Sequence, residues 1–255
     1  GYSMNDFITV VGGGLAGSEA TYQIAKRGIK VRLYEMKPNS FSPAHSNNNL
    51  AEIVCSNSFK SNLHTNACGL LKEELRNLDS LLIKVADETA VPAGQALAVD
   101  REVFSKKVTE ALENMKNVEI IRQEVGKDGL SIESIAKDGI VIIATGPLTS
   151  DALSKQILEL TGEDDLHFYD AAAPIIFKDS IDMNIAFYGN RYEQERAKDE
   201  DVEEWKAKQK NDGDASYINL PMNKEEYEHF WNELVNAEVV ELHQFEKREI
   251  FEGCM

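Results

Sequence analysis

The 255 residues carry 27 Lys and Arg against 44 Asp and Glu, a formal net charge of −17, and 42% are hydrophobic. A chain of this length supports one large or two modest domains with a real core. The acidic balance excludes broad, nonspecific nucleic-acid binding, which runs on phosphate neutralisation, but leaves room for a local basic patch.

No apolar run approaches the length of a bilayer span and no signal peptide is visible, so neither a membrane nor export is expected. Gly1, Tyr2 and Ser3, ahead of Met4, read as residues left by expression. Cys55, Cys68 and Cys254 are odd in number and widely spaced, without C-x-x-C or a Cys/His cluster. That pattern predicts no metal site and a reducing, cytoplasmic setting.

Residues 7–35, FITVVGGGLAGSEATYQIAKRGIKVRLYE, read as one βαβ unit. Phe7 to Val11 is an apolar strand. From Leu15 to Arg27, Ala16, Ala20, Ile24 and Ala25 recur at helical spacing, and Gly28 suits the position just past a helix end. Val31, Leu33 and Tyr34 form a second strand ending at Glu35. Between strand and helix, Gly12, Gly14 and Gly17 fit G-x-G-x-x-G. In dinucleotide binding the first glycine permits the tight turn, the second lets backbone approach the pyrophosphate, and the third lets helix and strand pack closely. The helix N-terminus then offers free N–H groups to the anion. Glu35, 18 residues beyond Gly17, is placed to accept hydrogen bonds from ribose hydroxyls. A free ribose favours FAD or NAD over NADP, and the unit alone does not choose between those two.

Residues 37–62 lack periodicity and predict a long loop carrying Cys55. Leu70, Leu71, Leu75 and Leu78 predict one face of a helix starting near Asn66, with Cys68 as packing. Asp100 is a plausible N-cap for a helix from Arg101 to about Met115. Strands are expected at 118–122 and 130–134, and GIVIIATG, residues 139–146, reads as a strand buried on both faces. Beyond about residue 165, LHFYDAAAPIIF, IAFYGNRY and YINLPM suggest a second sheet. ERAKDEDVEEWKAKQKN between them reads as a solvated surface helix with Trp205 resting on the body. Asn223 is placed to cap a helix from Lys224 to about Val235.

Taken together, VVGGGLAGSEATYQIAKRG, VRLYEMKP, AEIVCSNSFKSN, GLLKEEL, VPAGQALAVDRE, ATGPLTS and FEGCM resemble the folate- and FAD-dependent tRNA (uracil-5-)-methyltransferases over almost all of residues 6–255. The resemblance implies an α/β fold. A Rossmann-like FAD-binding domain over 1–165 would be incomplete in its C-terminal part, and a second α+β insertion domain over 166–255 would be cut short. It implies FAD bound by Gly12, Gly13, Gly14, Leu15, Ala16, Gly17 and Glu35, with methylenetetrahydrofolate as carbon donor and NADH or NADPH as external reductant. The product would be 5-methyluridine in the T-loop of tRNA, with a ribosomal RNA uridine as the alternative target.

In that chemistry C5 of uracil is a poor nucleophile until a thiolate adds at C6. The family pattern carries this attack to Cys254, with Cys55 assisting near the flavin. Ser56 and Asn57 would hydrogen-bond flavin or substrate carbonyls, and Arg101 would contact phosphate or pair with a neighbouring acid. The chain departs from the pattern at Gly13, where the family often has alanine, and in HSNNNL, where His45 stands alone. The charged segment around 193–211 resembles an insertion, and about the second half of a typical member is missing, so methylation by this chain alone is not expected. Two rival readings remain: a nicotinamide- or flavin-dependent oxidoreductase on a small molecule, and a non-catalytic dinucleotide-binding module.

Overall fold

The computed structural model describes residues 7–54, 56–162, 176–189 and 217–238. Its centre is a four-stranded parallel sheet built from β1 (Phe7–Val11), β2 (Lys30–Tyr34), β6 (Val118–Ile121) and β7 (Val141–Ile143), in the order β6-β2-β1-β7. β1 leads through the glycine loop into α1 (Leu15–Lys26), which ends at Arg27 with Gly28 at φ +80, the left-handed conformation glycine adopts without penalty.

Behind this sheet, α3 (Leu81–Glu88) and α4 (Arg101–Glu113) pack with α1 around Val10, Leu33, Leu50, Phe104 and Val108, all fully buried. The Glu19 carboxylate on α1 accepts from the Leu81 and Leu82 N–H groups and from the Ser80 hydroxyl, so one helix caps the start of another. Asp100 caps α4 as expected, accepting from the Glu102 and Val103 N–H groups.

A second, antiparallel sheet has the order β3-β5-β4, from β3 (Ser58–Ser61), β4 (Ala90–Val91) and β5 (Ala96–Val99). Here β3 lies inside the stretch expected to be loop. A two-stranded antiparallel sheet follows, β8 (Phe187–Gly189) with β9 (Tyr217–Asn219). Tyr217 packs on Ala93, Ala96 and Ala98 of the second sheet region. The helix Lys224–Asn236 is capped by Asn223 in a reciprocal box with Glu226. A mixed α/β architecture with a parallel central sheet is thus what the described residues form. Among them no helix is long and apolar enough to cross a membrane, and no cluster of His, Cys, Asp and Glu could hold a metal ion.

Two further expectations are corrected. Residues 130–134 are not a strand: α5 (Ile132–Ala136) occupies them, because Ser131 and Ser134 form a capping box and Ile132 and Ile135, one helical turn apart, are both buried. The strand at 139–146 is shorter and is not buried on both faces. Among the described residues β7 pairs with β1 alone, leaving Ile140 50% exposed. The helix expected near Asn66 is present as α2 (Ala67–Asn77), capped by Asn66, and Leu70 and Leu71 on it are half exposed. The buried residues are Gly69 and Lys72 instead. A Cβ at Gly69 would lie 1.8 Å from the Leu63 carbonyl oxygen, so this helix docks by close backbone approach. Lys72 donates to the Ser61 and Cys68 carbonyls at 2.9 and 3.0 Å, and burial pushes its pKa down. Cys68 is half-buried and unbonded to another cysteine. Residue 205, the 193–211 segment and most of LHFYDAAAPIIF lie outside the described residues.

Candidate functional site

A cleft opens at the C-terminal ends of the parallel strands, where α/β sheets place ligands. Gly12, Gly13 and Gly14 line it, with Glu35 from the end of β2 and Thr145 and Thr149 from beyond β7.

Each glycine has a distinct steric reason. Gly12 sits at φ +99, and a Cβ there would come within 2.6 Å of the Ala144 carbonyl oxygen, so a side chain is barred by both backbone and neighbour. At Gly17 a Cβ would lie 1.7 Å from the Gly12 carbonyl oxygen, which keeps α1 tight against the loop. Gly14 differs: a Cβ there would meet nothing within 4 Å and would project into open space. The first turn of α1 has no side-chain cap and no acidic residue, which leaves its N–H groups and dipole free for an anion. Gly13 is packed rather than open. A Cβ there would approach the Leu50 Cδ2 and the Glu35 Oε2 at 2.5 and 2.8 Å, so an alanine at this position would need both side chains to shift.

Glu35 is buried, and its position is fixed by backbone. Oε2 accepts from the Gly13 N–H at 2.9 Å and Oε1 from the Lys37 N–H at 3.0 Å. A carboxylate has about four acceptor sites, so capacity for hydroxyls remains. The chain then turns back over the glycine loop. Ala51 N–H donates to the Gly13 carbonyl at 2.8 Å, and Leu50 N–H donates to Thr109 Oγ1 at 2.8 Å.

The polar frame of that return segment was not legible as a site in the sequence. Lys37 and Glu52 form an ion pair at 3.0 Å with both side chains buried, and Lys37 also donates to the Asn49 carbonyl at 2.7 Å. Glu52 further accepts from the Ser46 N–H and hydroxyl and from the Asn47 N–H. Burial pushes the Glu52 carboxyl up, but the Lys37 ammonium and the Ser46 N–H outweigh it and leave the pKa below its ordinary value. His45, hydrogen-bonded through Nδ1 to Ser42, has its pKa lowered by burial and by Lys37. Lys37, His45 and Glu52 all line the cleft.

Ser56, Asn57 and Arg101 lie elsewhere, lining a separate, open groove with Val91 and Val99 that shares no lining residue with the glycine cleft. Asn57 brackets Val99: its Nδ2 donates to the Val99 carbonyl at 3.2 Å, and its own carbonyl accepts from the Val99 N–H at 2.9 Å. Ser56 Oγ accepts from the Ser58 N–H. Arg101 is exposed and makes no ion pair among the described residues. Cys55 and Cys254 lie outside the described residues, so the structure neither joins them nor separates them.

A parallel sheet in this order, with a glycine loop and an uncapped helix N-terminus at its carboxyl edge, defines a Rossmann-like α/β protein. The particular family follows from comparison. A family model described as Glucose inhibited division protein A matches residues 7–255, and the chain belongs to that family. It is 54% identical over 248 residues to the methylenetetrahydrofolate–tRNA-(uracil-5-)-methyltransferase TrmFO of Lactobacillus helveticus, covering 97% of this chain and 55% of that protein. Relatives of the same name from Acetivibrio thermocellus and Fusobacterium nucleatum are each 54% identical over 252 residues, 99% of this chain and 52% of theirs. The chain therefore spans about half the length of the curated relatives it matches.

Proposed function

We propose that this chain provides the FAD-binding portion of a folate- and FAD-dependent methyltransferase that forms 5-methyluridine in the T-loop of tRNA. The observation that carries this reading is the 54% identity, sustained over nearly the whole chain, to proteins named for that reaction. The acidic charge places RNA recognition on local Lys and Arg side chains. A cytoplasmic location accords with the tRNA substrate. The division into an FAD domain over 1–165 and an insertion domain over 166–255 belongs to the same proposal.

The cleft fits the cofactor. The open face at Gly14 leaves room for a pyrophosphate to reach the N–H groups of Gly14, Leu15, Ala16 and Gly17, and Glu35 keeps acceptor capacity for ribose hydroxyls. When bound, FAD supplies electrons and methylenetetrahydrofolate the one-carbon unit, with NADH or NADPH as external reductant. Ser56 and Arg101 face the neighbouring groove and are assigned to cofactor or substrate contacts there. Asn57, whose amide is engaged by Val99, shapes that groove and keeps acceptor capacity in its side-chain oxygen.

The chain's own chemistry is nucleophilic. Cys254 as a thiolate adds to C6 of the uracil ring, which makes C5 a carbon nucleophile, and Cys55 assists beside the flavin. The family match runs through both positions. The test offers a full-length protein carrying this sequence reduced FAD and methylenetetrahydrofolate, with unmodified tRNA and rRNA fragments in separate reactions. One added methyl on a tRNA uridine, lost in Cys254→Ala, is the expected result. Methylation of rRNA alone would move the target, and no methylation despite bound flavin would favour a small-molecule oxidoreductase.

A further inference from the structure

The cleft carries an electrostatic puzzle for any pyrophosphate ligand. Three of its lining side chains are carboxylates, Glu35, Glu52 and Glu124, and its single lining cation is Lys37. Lys37 is committed to Glu52 and to the Asn49 carbonyl, which occupy two of its three ammonium protons. With three carboxylates and one largely committed cation, an anion here relies chiefly on neutral donors. The α1 N-terminus supplies backbone N–H groups. One side chain supplies another.

Ser42 Oγ accepts from the Ala44 and His45 N–H groups at 3.3 and 3.2 Å. Its own proton is then the one that bridges to His45 Nδ1, which must act as acceptor. This pattern favours the tautomer that carries hydrogen on Nε2, and no described residue accepts from that nitrogen. The loop holding the ring is itself pinned from both sides. Glu52 collects the Ser46 and Asn47 N–H groups immediately after His45, and Lys37 fixes Glu52.

The geometry points to His45 as a ligand-binding residue of the glycine cleft, presenting Nε2–H as a neutral hydrogen-bond donor to an oxygen of the bound dinucleotide. The inference rests on the FAD-binding reading given above and adds to it a side chain outside the glycine fingerprint. Burial and the Lys37 ammonium disfavour protonation of His45 and outweigh the Glu52 and Glu35 carboxylates, which favour it, so the neutral ring that Ser42 orients is kept.

The test measures FAD binding from flavin fluorescence in a full-length protein carrying this sequence, for the wild type, His45→Leu and His45→Gln. Leucine removes the donor, and glutamine places an amide N–H near the position of Nε2. A hydrogen bond to a charged oxygen predicts that His45→Leu weakens binding by at least about tenfold, whereas His45→Gln stays within about threefold. A His45→Leu protein that folds and binds like wild type overturns the assignment. A readout without substitution stands beside it. In the ¹⁵N-labelled wild type, the imidazole nitrogens report the Nε2–H tautomer, and the Nε2 resonance shifts on adding FAD. An Nδ1–H tautomer, or an Nε2 signal unmoved at FAD saturation, overturns the inference even if His45→Leu fails to fold. If the wild type and Gly14→Ala alike bind no FAD, the cofactor reading itself falls and takes this inference with it. Binding that is lost in Gly14→Ala but intact in His45→Leu refutes only the role of His45.

Discussion

Substituting Gly14 by alanine separates the two roles a glycine loop can have. The backbone at Gly14 has φ −73 and ψ −163, an extended conformation open to alanine, and its Cβ would touch nothing within 4 Å. Two small stability effects oppose each other. Removing glycine restricts the unfolded chain, a gain of about 0.4–1 kcal/mol. Alanine is a poorer N-cap than glycine, a loss of roughly the same size. The net change is within about 1 kcal/mol, or a few degrees in Tm for a chain of this size. Binding behaves differently, because the methyl group fills the space through which a pyrophosphate reaches the N–H groups of α1. Loss of even one hydrogen bond to a charged oxygen, about 1.5–3 kcal/mol, weakens affinity by roughly 10- to 150-fold. Thermal unfolding followed by circular dichroism and FAD titration followed by flavin fluorescence read the two quantities on the same samples. An unchanged Kd for FAD in Gly14→Ala would refute the placement of the pyrophosphate, and a large fall in Tm would make Gly14 a packing residue.

The contrasting substitution, Gly17→Ala, presses a methyl group onto the Gly12 carbonyl oxygen, so the strand and helix must part. Urea unfolding should show a loss of about 1–3 kcal/mol or more. Lys37→Met leaves the buried Glu52 carboxylate without its cation and should cost about 3–5 kcal/mol, while adding Glu52→Gln in the same chain should cost less than the two single changes summed. The pH dependence follows from two depressed values. The folded pKa of His45 lies below its ordinary 6.5 and that of Glu52 below its ordinary 4.5, so in each case the unfolded chain takes up the proton first. Each contribution is complete above the ordinary value and is lost as the pH falls toward the folded one. Urea midpoints should therefore decline below pH 6.5 and again below 4.5, and His45→Gln should remove the first decline alone.

What was legible in the sequence is what short-range chemistry dictates. The β1-α1-β2 unit is legible because strand, turn and helix all lie within residues 7–35. Asn66, Asp100 and Asn223 announce their helices because a cap acts within three residues. Residues 132–136 form a helix, α5, where a strand was expected over 130–134. The spacing of three between Ile132 and Ile135 and the serine before them carry the helical signal. Burial is harder, since it depends on what arrives from far along the chain. The leucines of α2 have a regular helical spacing, yet Gly69 and Lys72 are the residues that fit against the Leu63 and Ser61 backbone.

The same limit applies to the site. Lys37, His45 and Glu52 span 16 residues of aperiodic loop, and only the return of that loop to the Gly13 carbonyl places them in the cleft with Glu35. Likewise, nothing local separates Ser56, Asn57 and Arg101 from the glycine loop. The antiparallel sheet does so by carrying them to a different groove.

The most direct measurement is a crystal structure, with FAD, of a full-length protein carrying this sequence. The account predicts density for the pyrophosphate against the N–H groups of Gly14 to Gly17, with the adenosine ribose hydroxyls on Glu35. Density for FAD away from the glycine cleft, or none at a concentration that saturates binding in solution, would contradict it.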